Sequence, residues 1–536
     1  MSEAPLGPRA PWHRRDWSSV LAGVLVVAGM ATLSAAAGRI GPLYSADSQN
    51  YVVLSERMFT GVGWRPPFDW IFEPQLVQGR GPWASLPPWP PGYSAATEGL
   101  ARLSGLDAAR AAWFLSLATC LLTVPLVFLL ARRAELPPLA AGLAAFAFAV
   151  TAPALRCASY AWSEPPFLFL IVLALLWMST SRSSLSRAAL VGLAVAAATL
   201  TRYLGAAMIP VAAGWAILAF RRQGKARALA ATALSAGVPV LALAAWLVRN
   251  YAVSGHAQTS YGPPDLSFLQ NLAMAVHGLG SCLFGFGDSD PGMAVALVLL
   301  AVAVGAAWRA VRRVDGDAEV TADGRRTLAL LASWAATFVV LTCALRSRSY
   351  FAHIDTRILF PAWPAVLILL LSLLARACRA TAGWDRIMVA VPVAGLALVV
   401  AVGQVRSYAE LVPFESRDKT ALARTVSAAH DPALLRLFAG RRVLCLEDDT
   451  LSSFFASAIA AHAAAVCLTT RSRLYRGFTW QAPELRAFLT QIDYVTTVDI
   501  AGTGGREERR DFQPSGPPIL RLDGLAIYTS AAAAPR

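Results

Sequence analysis

The stretch GPLYSADSQNYVVLSERMFTG, residues 41–61, directly follows the first long apolar run of the chain, residues 18–38. Of 536 residues, 56% are hydrophobic and only 15% charged, which places the chain outside the range of soluble domains and makes the run before it a membrane span. A membrane protein usually turns round in a brief polar loop after its first span. This one continues for tens of residues, with the acidic Asp47 at the head of an amphipathic segment. With residues 48–60 read as a helix, Tyr51, Leu54 and Met58 form an apolar stripe expected to lie along the membrane surface, and Asp47 becomes its N-cap. Two roles are open to that carboxylate: satisfying the free N–H groups of the helix start, or acting as a general base at the bilayer edge.

Apolar runs of about twenty residues span a bilayer as helices, and about eleven are found. They cover 18–38, 109–131, 137–155, 162–181, 187–201, 203–220, 228–249, 291–308, 327–345, 358–375 and 387–406. The fifth and sixth are short and read either as one broken helix or as two separated by Thr201-Arg202. Counted as two they bring the total to eleven, and eleven helices with a cytoplasmic N-terminus put Arg132/Arg133, Arg182/Arg187, the cluster 221–227, the cluster 309–326 and Arg376/Arg379/Arg386 on one side, as the positive-inside rule requires. The net charge of +14 is therefore an insertion signal, and nucleic acid is excluded as a partner. Arg14 and Arg15 precede a run with no evident cleavage site, so the first helix is expected to be an anchor. The seven cysteines show neither CxxC nor metal-ligand spacing and read as small hydrophobes.

The opposite side receives the long loop 39–108, the segment 250–291, the short link 346–357 and everything after residue 406. In that last region the pattern becomes that of a soluble domain of roughly 130 residues. RRVLCLED (441–448), AAVCLTT (464–470) and DYVTTVDI (493–500) read as strands alternating with helical TLSSFFASAIAAH (450–462) and ELRAFLTQI (484–492). PILRLDGLAIYTS (518–530) reads as a hairpin turning at Asp523-Gly524. The expected architecture is a polytopic α-helical membrane domain over 1–406 and a small C-terminal α/β domain over 407–536 on the outer face.

Further polar sites stand at helix ends on that outer face. PPWPPGY (87–93) is a stiff polyproline segment running into Tyr93 and reads as a rigid element under the surface helix. YAWSEPPFLFLIV (160–172) opens a span with Glu164 and two prolines, where a carboxylate also suits the helix dipole. TLTRYLGAAMIP (199–210) puts Arg202 between two short helices, a position equally suited to an interfacial snorkelling arginine. SYFAHIDTRILFPAWP (349–364) carries His353, Asp355 and Arg357 before the tenth span, where Asp355 and Arg357 also read as a surface pair.

The order of these motifs resembles the GT-C superfamily of integral-membrane glycosyltransferases, in the branch of protein mannosyltransferases and the lipid A aminoarabinose transferase. The matching features are an outward Asp in a long first loop, a Pro-Pro-x-Tyr-like element, Ser-Glu-Pro opening a helix, Thr-Arg between short helices and Asp-x-Arg before a late helix. The resemblance covers most of residues 15–406, with one departure: Ser48 follows Asp47 where some branches carry an Asp-Glu pair.

The resemblance implies a sugar donor joined to polyprenyl phosphate and a glycan, lipid or protein acceptor. Asp47 would take the acceptor proton, the anomeric carbon would invert, and Arg202 and Arg357 would hold the phosphate. Glu164, Tyr93, Asp355 and His353 would position substrate. No metal ligands are assigned and no required cofactor is expected, since the two arginines can do the electrostatic work at the leaving phosphate, a divalent metal being the alternative. Location in a bacterial inner membrane follows, with the N-terminus cytoplasmic and the C-terminal domain periplasmic. The competing reading is a transporter or lipid flippase, which carries internal repeats and charges near the bilayer midplane rather than at one surface.

Overall fold

The computed structural model describes residues 17–58, 69–70, 89–180, 183–254, 266–285, 321–348, 354–380, 400–407, 436–447, 465–470, 494–498, 520–522 and 525–529, with isolated positions between them. Among these, six helices are long and apolar enough to cross a membrane: Trp17–Ile40, Ala108–Arg133, Tyr203–Gln223, Lys225–Ala252, Ala322–Arg346 and Thr356–Cys378. The protein is an integral membrane protein. The expected spans 291–308 and 387–406 lie largely outside the described residues.

Several runs that read as simple spans are not simple. The run 137–155 is two helices, Pro138–Ala149 and Ala152–Ser159, bent by 56°. Thr151 caps the second by accepting from the Ala154 N–H at 3.4 Å, and Pro153 in its first turn has no N–H to continue the first. The run 228–249 lies within a longer helical stretch that contains a π-turn over Ala233–Gly237. Segment 250–291, expected as a loop, contains helix Phe268–Phe284, started by a Ser267/Gln270 capping box and stopped by left-handed Gly285.

In lipid no water drives helices together, so close packing of small residues carries much of the association. Helices Trp17–Ile40 and Pro138–Ala149 touch through Gly142, where an added Cβ would stand 2.8 Å from the Ala22 Cα. The fifth and sixth spans are two helices folded back on one another. Arg202 is extended (φ −148°, ψ 134°), and a Cβ on Gly205 would lie 2.6 Å from the Thr199 backbone nitrogen.

The long first loop contains helices Ala46–Arg57 and Gly92–Ser104. Here the structure corrects the reading of residues 48–60 twice. The N-cap is Ser45, not Asp47: Ser45 Oγ accepts from the Ser48 N–H at 3.4 Å while Ser48 Oγ accepts from the Ser45 N–H at 2.9 Å. That reciprocal box outcompetes the carboxylate and leaves Asp47 in the first turn with its side chain free for another partner. The stripe Tyr51, Leu54 and Met58 faces protein rather than lipid, all three being buried. Tyr51 packs against Trp89 and, edge-on at 4.9 Å, against Tyr93.

All four segments read as C-terminal strands contain strands. With β1 (Asp69–Trp70), β2 (Arg442–Glu447), β3 (Ala465–Thr470), β4 (Tyr494–Val498), β5 (Leu520–Leu522) and β6 (Leu525–Thr529), they form one sheet of order β1-β3-β2-β4-β6-β5. β2 pairs parallel with β3 and β4, and β5 and β6 form the antiparallel hairpin. The edge strand β1 comes from the first loop and pairs parallel with β3, Asp69 opposite Cys467. The helices expected at 450–462 and 484–492 fall outside the described residues.

Candidate active site

Four charged side chains drawn from distant parts of the chain meet at one end of the helices. Helix Glu164–Met178 begins at Ser163, with prolines next in the first turn. Ser163 makes no side-chain cap bond, so its hydroxyl is available elsewhere. The Glu164 carboxyl is 1% exposed, and its Oε1 accepts from Arg202 Nη1 at 2.8 Å and also from Arg357 Nε. Arg357 in turn places Nη2 2.5 Å from Asp47 Oδ2, and Arg202 Nη1 donates to Ser163 Oγ at 3.0 Å.

Two carboxylates and two guanidinium groups thus form one neutral cluster. Its exposure is graded, from Glu164 at 1% through Arg202 at 16% and Arg357 at 22% to Asp47 at 35%. Glu164 is the internal hub and Asp47 the solvent-facing end. Burying charge is costly unless each member is paired, and the pairing is complete except at Glu164 Oε2, which has no hydrogen-bond partner among the described residues.

The other expected residues stand behind this cluster. Asp355 caps the short helix Thr356–Leu359 that carries Arg357, its Oδ1 accepting from the Ile358 N–H at 3.0 Å. It orients Arg357 and does not pair with it. Tyr93 is fully buried, its hydroxyl donating to Ala112 O at 2.8 Å and bonded to Ser116 Oγ at 2.8 Å. It supports Tyr51 and does not reach the charges. His353 lies outside the described residues.

Four contributors escaped sequence reasoning. Tyr51, read as a membrane-facing apolar residue, bonds Ser163 Oγ at 3.0 Å, and burial raises its phenol above the ordinary value, so it stays protonated. The Trp162 ring lies under Arg357, with Cζ 4.2 Å from its centroid. Its Nε1 donates to Ser45 Oγ at 2.7 Å. Ser163 and Trp162 adjoin Glu164 in sequence, which was the available signal; nothing local linked them to residues 45–51. Beside Arg202, the Tyr203 hydroxyl accepts from Trp246 Nε1 at 3.0 Å and Asn250 Nδ2 at 3.3 Å, a polar group at the end of the helix reaching Ser254.

The cluster is suited to an anion. Arg202 and Arg357 keep part of their side chains exposed, and their present partners are carboxylates, whose oxygens a phosphate can match in geometry. Among the described residues no group of three or more His, Cys, Asp or Glu is arranged to hold a metal.

No protein-family model matches the sequence, and no curated protein matches it. Solved structures do. The chain is similar to apo ArnT, the aminoarabinose transferase from Cupriavidus metallidurans, with 15% identity, a TM-score of 0.55, and 97% of this chain and 99% of that one covered. The same enzyme bound to undecaprenyl phosphate matches at 14% identity and a TM-score of 0.53, over 98% of this chain and all of that one. The archaeal oligosaccharyltransferase AglB from Archaeoglobus fulgidus, in complex with an inhibitory peptide and a dolichol-phosphate, matches at 13% identity and a TM-score of 0.52, over 91% of this chain and 70% of that one. The chain therefore shares the fold of ArnT and AglB.

Proposed function

We propose that the protein transfers a sugar from a polyprenyl-phosphate donor to an acceptor hydroxyl at the outer face of a bacterial inner membrane, with inversion. The observation that carries this reading is the single ion cluster of Asp47, Glu164, Arg202 and Arg357. The fold shared with ArnT bound to undecaprenyl phosphate supports the donor class. The pairing of β1 with β3 supports placing the first loop and the C-terminal strands on the same side, as a reading of eleven spans requires.

The acceptor oxygen attacks the anomeric carbon from the face opposite the phosphate. The carbon–oxygen bond to phosphate breaks, its electron pair leaves with polyprenyl phosphate, and Asp47 takes the hydroxyl proton. Negative charge grows on the leaving oxygen, so Arg202 and Arg357 stabilise the transition state more than the bound donor. With no donor bound, Arg357 occupies an oxygen of the proposed base. A donor phosphate gives Arg357 a competing partner and releases Asp47 for the acceptor, so donor binding prepares the base. A groove of about 440 Å³ between the span after Arg202 and the span before Arg357 is lined mostly by apolar side chains such as Val211, Trp215, Leu218 and Leu330, with Arg326, Ser333 and Thr337 as its polar members, and its apolar part suits a prenyl tail.

The test incubates purified protein with labelled polyprenyl-phosphate sugars and a membrane extract. Replacing a general base typically costs roughly 10²–10⁴ in rate, so Asp47→Asn should lose transfer on that scale while still binding undecaprenyl phosphate. Equal transfer by wild type and variant would remove Asp47 as base. Binding without transfer from any donor would favour a lipid carrier. Two guanidinium groups already supply charge for the leaving phosphate, and we further propose that no divalent metal is required. Loss of transfer in chelator with recovery on adding Mg²⁺ or Mn²⁺ would overturn that part.

A further inference from the structure

We infer that Trp162 is a positioning residue that registers the phosphate-binding arginine against the helix of the base. The inference rests on the reading of Arg357 as a donor-phosphate ligand. The indole has two faces of work in two places. Its ring carries the Arg357 guanidinium, 4.2 Å from the centroid, and its Nε1 donates to Ser45 Oγ at 2.7 Å.

Ser45 is the N-cap of the helix Ala46–Arg57, the helix on which Asp47 sits in the first turn. Its hydroxyl therefore holds the start of the base helix and the edge of the ring beneath the arginine. Trp162 is itself held from three directions. Tyr160 stacks on it at 4.3 Å and 14°, its carbonyl accepts from Ser116 Oγ at 2.7 Å, and the neighbouring Ser163 ties to Tyr51 and Arg202. The indole is 8% exposed, so it is fixed without being sealed from the site.

The ring attracts the guanidinium through its π face while Arg357 Nε and Nη2 remain directed at the carboxylates of Glu164 and Asp47. Arg357 is thus held without spending donors that a phosphate needs. When a donor displaces Asp47 from Arg357, the ring contact and the Ser45 bond remain. They keep the freed carboxylate and the occupied arginine at a defined separation, which an in-line displacement needs.

The two contacts are separable by substitution in full-length protein in nanodiscs. Trp162→Leu removes both, Trp162→Phe keeps a ring but no N–H, Ser45→Ala removes only the acceptor and the cap, and Ser45→Thr retains a hydroxyl. Loss of a cation–π contact of ordinary strength corresponds to roughly a three- to thirtyfold weakening. Trp162→Leu should raise the donor KM, and the Kd for undecaprenyl phosphate, by that factor. Trp162→Phe should shift both less and chiefly lower kcat. Ser45→Ala should lower kcat with donor KM unchanged, and Ser45→Thr should recover it. A uniform loss in all four variants, or an unchanged undecaprenyl phosphate Kd in Trp162→Leu, overturns the inference. If Trp162→Leu does not fold, Trp162→Phe and the Ser45 pair still decide it. Failure of the functional reading looks different: wild-type protein then transfers no sugar, while the Kd series still reports whether the ring supports Arg357.

Discussion

Replacing Glu164 by Gln keeps an oxygen acceptor for both arginines and removes one negative charge from a cluster that is neutral as built. Removing one partner of a buried ion pair costs about 3–5 kcal/mol, because the remaining charge stays desolvated. Glu164 serves two guanidinium groups, but both are partly open to solvent and Arg357 retains Asp47, so the lower end, about 3 kcal/mol, applies. At about 2 °C per kcal/mol for a large domain, thermal unfolding in detergent should fall by about 6 °C. The variant site carries one net positive charge. Undecaprenyl phosphate should therefore raise the melting temperature of Glu164→Gln by more than it raises that of wild type, although transfer is slowed because an uncharged amide holds the two forks less tightly than a carboxylate. Adding Arg202→Gln should restore part of the loss, with a coupling of about 1–3 kcal/mol. A melting temperature within about 1 °C of wild type, or strictly additive losses in the double variant, would refute the view of Glu164 as a charged hub.

Two further outcomes follow from the same geometry. Asp355→Ala removes the cap of the helix carrying Arg357, worth about 1 kcal/mol, and should raise the donor KM about fivefold while Asp355→Asn, which can still cap, stays near wild type. Burial raises the Tyr51 phenol above its unfolded value of roughly 10, so the stability it contributes is full below that pH and is lost as pH climbs beyond it. Unfolding measured between pH 8 and pH 11 should accordingly steepen less in Tyr51→Phe, and an unchanged alkaline slope would count against a protonated, buried Tyr51.

Much of this arrangement was legible in the sequence, for identifiable reasons. Long apolar runs report spans because a backbone in lipid must satisfy its own hydrogen bonds, and Glu164, Arg202 and Arg357 stood out as charges at the ends of such runs. Strands β2 to β6 were legible from short apolar runs separated by turn residues. The misreadings were competitions between nearby groups. Ser45 and Asp47 can both cap the same helix, and only the geometry of the reciprocal Ser45–Ser48 bonds decides between them. A bend at Thr151 or a helix over Phe268–Phe284 likewise depends on neighbours that an apolar count does not see.

The sequence by itself determined that this chain lives in a membrane, that the charges of the candidate site sit at helix ends, and in what order they come, since hydropathy and order are properties of the line of residues. Only the tertiary structure decided which charges pair: that Asp47 and Arg357, with most of the membrane domain between them in sequence, share an ion pair, that Asp355 beside Arg357 does not join it, and that Trp162 bridges Arg357 to Ser45. Ion pairing and ring stacking depend on distances of a few ångströms in space, and those are settled by how the helices pack.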